Sequence, residues 1–328
     1  MGKYRNLAAP EEYISDFEGG FPDFIFDIED LDVASEDVLK YVEMRLMAIA
    51  ETVNRPLVIM LSGGVDSLLT LAVAARLEID VQAFTFHWKG SDESDAEVAT
   101  AKRAARTLGV NLHVVAPTQD EYLALVKSVI LRLETTEPWE VLAGLILLGV
   151  AEAADRELPD SIFISSAGAD GLFLGGKPFC PRGDEDLNLR SWTREVRSTL
   201  TSNFRRGRFI PDFYERILGD ESRHYKIWQT EQAVSLASRM HPVVVKGKQR
   251  DKDKLLLRHA AVKAGVPAML VNRKKSPMQV SSGGLKAIED LARRDLAHEF
   301  EGRTYSDPLT EEMPLTVARL FLENLEGR

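Results

Sequence analysis

Leu57-Val58-Ile59-Met60-Leu61-Ser62-Gly63-Gly64-Val65-Asp66-Ser67 is the stretch whose reading decides the fold. A short apolar run feeds a Ser-Gly-Gly-x-Asp-Ser turn, and an apolar helical pattern follows from Leu68 to Leu77. Strand, glycine loop and helix in that order outline a phosphate cradle. Paired glycines let the backbone turn tightly with its N–H groups inward. The new helix N-terminus adds partial positive charge and unpaired donors, and Ser62 and Ser67 add hydroxyls. Asp66 repels phosphate, so its place in the loop makes sense if it holds Mg²⁺ on a polyphosphate. The plainer reading is a Gly-Gly turn before a core helix. A six-residue pattern directly after a buried-strand pattern argues against it, and the chain contains no Walker A pattern.

Outward from this loop, strand and helix patterns alternate. Val81–Phe86 reads as a strand, Glu93–Leu108 as a helix closed by Gly109, and Asn111–Val115 as a short strand. Helical patterns near Gln119–Leu133 and Pro138–Ala154 lead to an apolar strand at Ser161–Ser165. Upstream, Ser35 is the expected cap of a helix running to about Thr52. The alternation predicts an α/β fold with a parallel, Rossmann-like sheet and helices on both faces. Ligands of such sheets bind at the carboxyl ends of the strands, where the glycine loop lies. After about Pro178 helical patterns dominate: Tyr225–Arg239, Asp253–Ala264, Gly284–Ala297 and Leu309–Leu325, while Pro181–Asp212 has little clear periodicity. The organisation expected is an acidic cover and helix over 1–54, a nucleotide-binding α/β core over 55–180, and a mainly helical part over 181–328 that completes the site.

The 328 residues are 45% hydrophobic and 28% charged, which suits one large or two modest globular domains. No apolar run is long enough to span a bilayer, and the first residues lack a signal-peptide core. Cys180 is the single cysteine, so an intrachain disulfide is excluded and a reducing, cytoplasmic setting is expected. Histidines are sparse and without zinc-ligand spacing. The net charge of −10 disfavours nonspecific nucleic-acid binding by the whole surface. The charge is uneven, however: Glu11–Asp37 holds eleven acids and no base, whereas Arg190–Arg208 holds six arginines and one acid. Solvated helix faces are the default reading of such runs; the functional one is a basic half that surrounds ATP or a larger polyanion.

A second glycine loop, Ser165-Ser166-Ala167-Gly168-Ala169-Asp170-Gly171, also follows a strand pattern. Asp170 is placed to share Mg²⁺ with Asp66 if the two strands are neighbours, although turn-capping is a common use of such an aspartate. Farther on, Lys254-Leu255-Leu256-Leu257-Arg258 opens a helix, and Arg273-Lys274-Lys275-Ser276-Pro277-Met278-Gln279 follows a break at Pro267. A basic triplet can neutralise charge on a transferring phosphate; a solvated basic turn is the commoner fate.

The first loop resembles the pyrophosphate-binding PP-loop of the ATP pyrophosphatases. Both loops, in order with K-x-L-L-R and R-K-K-x-P-M-Q, resemble the synthetase domain of asparagine synthetase and relatives such as β-lactam synthetases and lasso-peptide cyclases. The resemblance spans roughly Arg55–Gly284 and includes Phe84-Thr85-Phe86 and Glu134-Thr135-Thr136. It implies a ligase that adenylates a carboxylate with Mg²⁺-ATP, releases pyrophosphate and passes the acyl group to ammonia or an amine. Carried over by position, Leu61, Ser62, Gly63, Gly64, Val65, Asp66 and Ser67 hold the pyrophosphate. Asp66 and Asp170 hold the metal, and Gly168 belongs to the second loop. Phe84 and Thr85 lie where adenine and ribose are contacted. Lys275, or Lys274 on a one-residue slip, stabilises the transition states.

Three departures qualify this. The family's glutaminase domain with its N-terminal cysteine has no counterpart here, so ammonia, an amine substrate or a separate glutaminase is expected to supply nitrogen. Ala167 replaces a glutamate or tyrosine that assists the nucleophile, which turns attention to Glu134 as an alternative base. Gly171 replaces an acid. Two other readings stay open: a PP-loop enzyme acting on a nucleobase or nucleic acid, which would share Asp66 and Asp170, and a non-catalytic ATP-binding module, favoured by Ala167 and Gly171; the arginine-rich segment keeps a nucleic-acid substrate open for the ligase itself.

Overall fold

The computed structural model describes residues 6–180, 183–272 and 278–300, with 307, 309–313, 315–317 and 320 near the C-terminus. Through the first glycine loop and its sheet the elements run α1 (Leu31–Thr52), β1 (Leu57–Met60), α2 (Val65–Arg76), β2 (Val81–Phe86), α3 (Asp92–Leu108), β3 (Leu112–Val115), α4 (Gln119–Leu133), α5 (Pro138–Glu157) and β4 (Ile162–Ser165). Then come α6 (Ala169–Phe173), α7 (Glu185–Asn203), α8 (Phe213–Leu218), β5 (His224–Lys226), α9 (Glu231–Arg239), α10 (Pro242–Lys246), α11 (Leu255–Lys263), α12 (Ala268–Val271), α13 (Met278–Ser281) and α14 (Gly284–Phe300).

The five strands are parallel in the order β3-β2-β1-β4-β5. The chain winds one way from β1 to β2 and the other way to β4, so the topological switch lies between β1 and β4, where open α/β sheets bind ligands. Both sheet faces are covered. Leu57, Ile59, Ala83 and Ile164 pack with α1, α2, α3 and α11 in one cluster; Val58, Phe84, Phe86 and Phe163 pack with α4, α5 and α8 in the other. Burial on both faces is why these strands read as near-continuous apolar runs. Among the described residues no helix is long and apolar enough to cross a membrane.

Several local expectations need correcting. Asp30, not Ser35, caps α1, accepting the Asp32 and Val33 N–H groups at 2.9 and 3.0 Å. Ser35 instead donates back to the Leu31 carbonyl at 2.7 Å inside the helix. The segment without clear periodicity contains the long α7. Its inward positions are Asn188, Trp192, Val196, Thr199 and Leu200, and polar side chains among them dilute the apolar stripe. The expected helix over Tyr225–Arg239 divides into β5 and α9, and β5 pairs with β4. The sheet therefore draws a strand from beyond residue 180. Lys226, in β5, is buried by its ion pair with Glu11 from the acidic N-terminal segment. The fully buried Arg45 of α1 binds the Leu7, Pro10 and Lys226 carbonyls. The acidic segment lies against β5 and the turn that follows it, with further bonds from Glu12 N–H to Gln229 and Ile14 N–H to Phe204. Of the helix expected over Leu309–Leu325, residues 314, 318–319 and 321–325 lie outside the described residues.

Candidate active site

The first loop passes from β1 into α2 over Gly64, which caps the helix without a side-chain hydrogen bond; a helix N-terminus after a glycine turn is a ready anion-binding element. Gly63 is required by packing: a Cβ there would meet the Glu97 carbonyl of α3 at 2.9 Å. The Ser67 hydroxyl, 3.0 Å from that of Ser62, also lies 3.0 Å from the Gly64 carbonyl, tightening the turn from within.

The second loop leaves the neighbouring β4. Gly168 has φ +101°, and a Cβ would meet the Trp228 backbone at 2.8 Å, so both conformation and space demand glycine. Ser166 ties the loops together: its hydroxyl donates to the Asp66 carbonyl at 3.0 Å and lies 2.8 Å from Thr70 Oγ1. Leu200 of α7 lies 3.2 Å from where a Gly171 Cβ would stand. The acid expected at that position by resemblance would be pressed against an apolar side chain.

Asp66 and Asp170 converge, and what lies between them is Lys254. Its Nζ is 2.5 Å from Asp66 Oδ2 and 2.6 Å from Asp170 Oδ1. Burial opposes the ammonium charge, but the two carboxylates outweigh it and hold the Lys254 pKa above its ordinary value. The lysine reaches this point past Gly175, where a Cβ would stand 2.0 Å from Asp170 Oδ1 and 2.4 Å from Lys254 Cε. Asp253 accepts the Gly176 N–H at 2.9 Å, and buried Lys246 donates to the Lys177 carbonyl at 2.9 Å. Burial depresses the Lys246 pKa; Asp253 opposes that shift and Lys254 adds to it. Residues 246–254 thus clasp the second loop.

One cation reached by two carboxylates from adjacent strands tests the site for Mg²⁺, which is commonly held by one or two carboxylates together with substrate phosphates. The donor set fits. Among the described residues no group of three or more His, Cys, Asp or Glu could hold a metal by itself, so substrate phosphates would complete the coordination.

The other expected residues divide. Leu61 and Val65 are buried at the two ends of the first loop. Phe84 stacks on His113 with centroids 4.4 Å apart, on the α5 face of the sheet, so its ring points away from α2. Thr85, buried on the opposite face by strand alternation, points toward the α2 and α3 side. Glu134 caps the C-terminus of α4 in the left-handed region, with its side chain 76% exposed and paired to Arg216 at 2.9 Å. The structure does not bring it to Asp66 and Asp170 through any of these contacts. Asp170 is also more open than its glycine-rich surroundings imply, at 66% side-chain exposure against 17% for Asp66. Lys274 and Lys275 lie outside the described residues. Downstream of them, Ser282 accepts from Ser94 and Gly284 accepts from Tyr122, docking that chain beyond the end of β2. Sequence reasoning quoted Lys254 within K-x-L-L-R but gave it no role. Its signal was a lysine at a helix start that carries no acidic partner nearby on its own helix.

The asparagine synthase family model matches residues 40–241, well over half the chain, and includes both loops. Solved structures similar to this chain include NMN synthetase from Francisella tularensis, at 14% identity over 76% of this chain and 100% of that one, with a TM-score of 0.34. NH3-dependent NAD synthetase from Campylobacter jejuni matches at 14% identity over the same shares, with a TM-score of 0.33. No curated protein sequence matches this chain.

Proposed function

The chain belongs to the asparagine synthase family, whose members are ATP-dependent PP-loop ligases, and from that premise we propose that it adenylates a carboxylate and transfers the acyl group to ammonia or an amine. The observation that carries this reading is the convergence of Asp66 and Asp170 on one cation at the switch point of the sheet. Ser62, Gly63, Gly64 and Ser67 hold the β- and γ-phosphates through main-chain N–H groups and hydroxyls at the start of α2. Asp66 and Asp170 would hold Mg²⁺, which would supply charge to neutralise the pyrophosphate leaving group. Lys254, whose Nζ takes the place between the two carboxylates in this structure, brings a further positive charge to the same region. Lys275, with Lys274 as the alternative, is assigned by resemblance to the developing charge at the α-phosphate and acyl carbon.

Ala167 leaves the nucleophile without a base at the position where relatives carry one. An amine that arrives neutral, ammonia included, needs less assistance than a protonated one, and Glu134 is the base assigned if one is used. The nitrogen source is free ammonia, an amine substrate or a separate glutaminase.

The test is ATP–pyrophosphate exchange and AMP release with Mg²⁺ across a panel of carboxylates, with and without ammonia. Exchange that depends on one carboxylate is the expected result and names the substrate class. Tight ATP binding with no exchange across the panel would turn the assignment toward a non-catalytic nucleotide-binding module. Lys275→Ala is expected to leave ATP binding intact and to lower turnover, the mark of a transition-state contact.

A further inference from the structure

We propose that the outer face of α7 binds the phosphate backbone of RNA. The helix is two-sided. Asn188, Trp192, Val196, Thr199 and Leu200 are buried and pack toward the second glycine loop, where Thr199 Oγ1 accepts from Lys177 Nζ at 2.9 Å. The opposite side presents Arg190, Thr193, Arg194, Arg197, Ser198, Thr201 and Ser202, which line a shallow groove of about 560 Å³. All seven side chains carry donor groups, none is acidic and none is an apolar anchor; Thr193 and Ser202 donate to the Leu189 and Ser198 carbonyls of their own helix, and Arg197 to the Pro22 carbonyl.

That composition selects the ligand. Stable protein partners are held by buried aromatic or aliphatic anchors with charge at the rim. A surface made only of guanidinium and hydroxyl groups draws its affinity from charge and phosphate hydrogen bonds instead. Arginine and Ser/Thr side chains are common donors to phosphate oxygens, and the planar guanidinium matches phosphate in a way lysine does not. Arg190, Arg194 and Arg197 lie within about 10 Å of helix rise at ~1.5 Å per residue. The interleaved hydroxyls can also pair with a ribose 2′-OH, the group that separates RNA from DNA.

The face is not screened by the chain's overall negative charge, because its acids are placed elsewhere or at its edge. Glu195 is the one acid between Arg190 and Arg208. From the N-terminal segment, Asp23 comes within 3.7 Å of Arg197, which also lies over the Phe21 and Phe24 rings, and Asp16 pairs with Arg206 at 2.8 Å. These contacts show that the edge of the face already takes carboxylates, while Arg190 and Arg194 are exposed.

The proposal does not rest on the adenylation reading, and its test measures binding without turnover. A fluorescein-labelled single-stranded RNA of mixed sequence would be titrated by fluorescence anisotropy at about 50 to 200 mM salt. DNA of the same sequence and poly-glutamate would be the parallel probes. Salt-sensitive RNA binding is expected, tighter than to DNA. In Arg190→Gln/Arg194→Gln the slope of log K against log salt should fall by about 1.4, at roughly 0.7 per lost single-strand contact, with Mg²⁺-ATP binding unchanged as evidence of an intact fold. Absence of RNA binding at low salt, or a slope unaltered in the double variant, would overturn the proposal. Equal or tighter binding of DNA would overturn the choice of RNA, and preference for poly-glutamate would replace it with an acidic protein partner.

Discussion

The two glycine loops hold equivalent positions, each at the carboxyl end of one of the two central strands, yet they are built in opposite ways. The first is assembled almost wholly from its own neighbourhood: β1, α2 and the α3 backbone against Gly63. Its aspartate is half-buried. The second is open at Asp170 and owes its shape to distant residues, with Trp228 against Gly168, Leu200 against Gly171 and Lys254 against Gly175. A rigid loop and a loop clasped from outside can share one cation while failing in different ways.

The largest effect is expected at the rigid loop. Asp66→Ala should cut ATP–pyrophosphate exchange by at least about 10³-fold, since it removes the less exposed of the two charge partners where phosphate charge is proposed to develop. Folding, followed by circular dichroism and urea melts, should largely persist. Asp170→Ala should lose less, about 10²-fold, because water can enter beside an exposed carboxylate and complete the coordination. An active Asp66→Ala protein would sink the metal assignment, and equal losses would erase the contrast between the loops.

Two adjacent glycines test the clasp next. Gly175→Ala forces a methyl against Asp170 and Lys254, displacing the loop by a fraction of an ångström to an ångström, and about 10²-fold of turnover should go with it. At Gly176, with φ +69°, nothing lies within 4 Å of an added Cβ. Gly176→Ala should therefore cost only about 1 kcal/mol of backbone strain, read as a shift in the urea midpoint, and leave kcat nearly unchanged. If both substitutions damage turnover equally, conformation rather than the Lys254 passage explains the glycine pair.

The same contrast governs what the sequence disclosed. Local signals carried the first loop, the four strands around it and the helices between them, because apolar runs, Gly-Gly and Gly109 act over a few residues. The convergence of Asp66 and Asp170 hung on a condition no local signal could supply, that β1 and β4 be neighbours, and the sheet order meets it. Lys254 was illegible because its role depends on a turn of chain 188 residues from Asp66 folding back over the second loop. β5 was hidden for a related reason: His-Tyr-Lys is a poor strand by composition, and it is buried only because Glu11 and Tyr214 receive Lys226 and His224. The acid missing at Gly171 had no explanation until Leu200 was seen against it.

A smaller effect, dependent on pH, reports on the footing of the second loop. His224 Nε2 is 2.9 Å from Ser165 Oγ at the end of β4, and its ring stacks on Tyr214. Burial, with Lys226 adding to it, pushes the His224 pKa down to about 3. The unfolded chain therefore takes up this proton near pH ~6.5 while the folded one does not. The stability supplied by the neutral ring is complete above pH ~6.5 and is lost as pH falls toward 3, by up to about 1.4 kcal/mol per pH unit. Urea unfolding of the wild type and His224→Asn between pH ~4 and ~8 should show a shallower acid slope in the variant and parallel lines above neutrality. Identical slopes would mean that His224 is protonated in the fold.

The smallest expected change lies at the one hydroxyl that joins the loops. Ser166 donates to the Asp66 carbonyl and meets Thr70, so it links the second loop to the first turn of α2 without touching either carboxylate. Ser166→Ala should cost about 1 kcal/mol in stability, the ordinary net worth of a hydrogen bond. Its informative consequence is the coupling in a double-mutant cycle with Gly175→Ala. If the clasp alone positions Asp170, the two losses in exchange activity add. If the loops are registered through Ser166, the second substitution should do less harm once the first has been made, since the link it strains is already broken. Additivity would leave the two loops as independent parts that happen to share a cation; a shortfall from additivity would make them one device, with the half-buried Asp66 setting the position of the exposed Asp170.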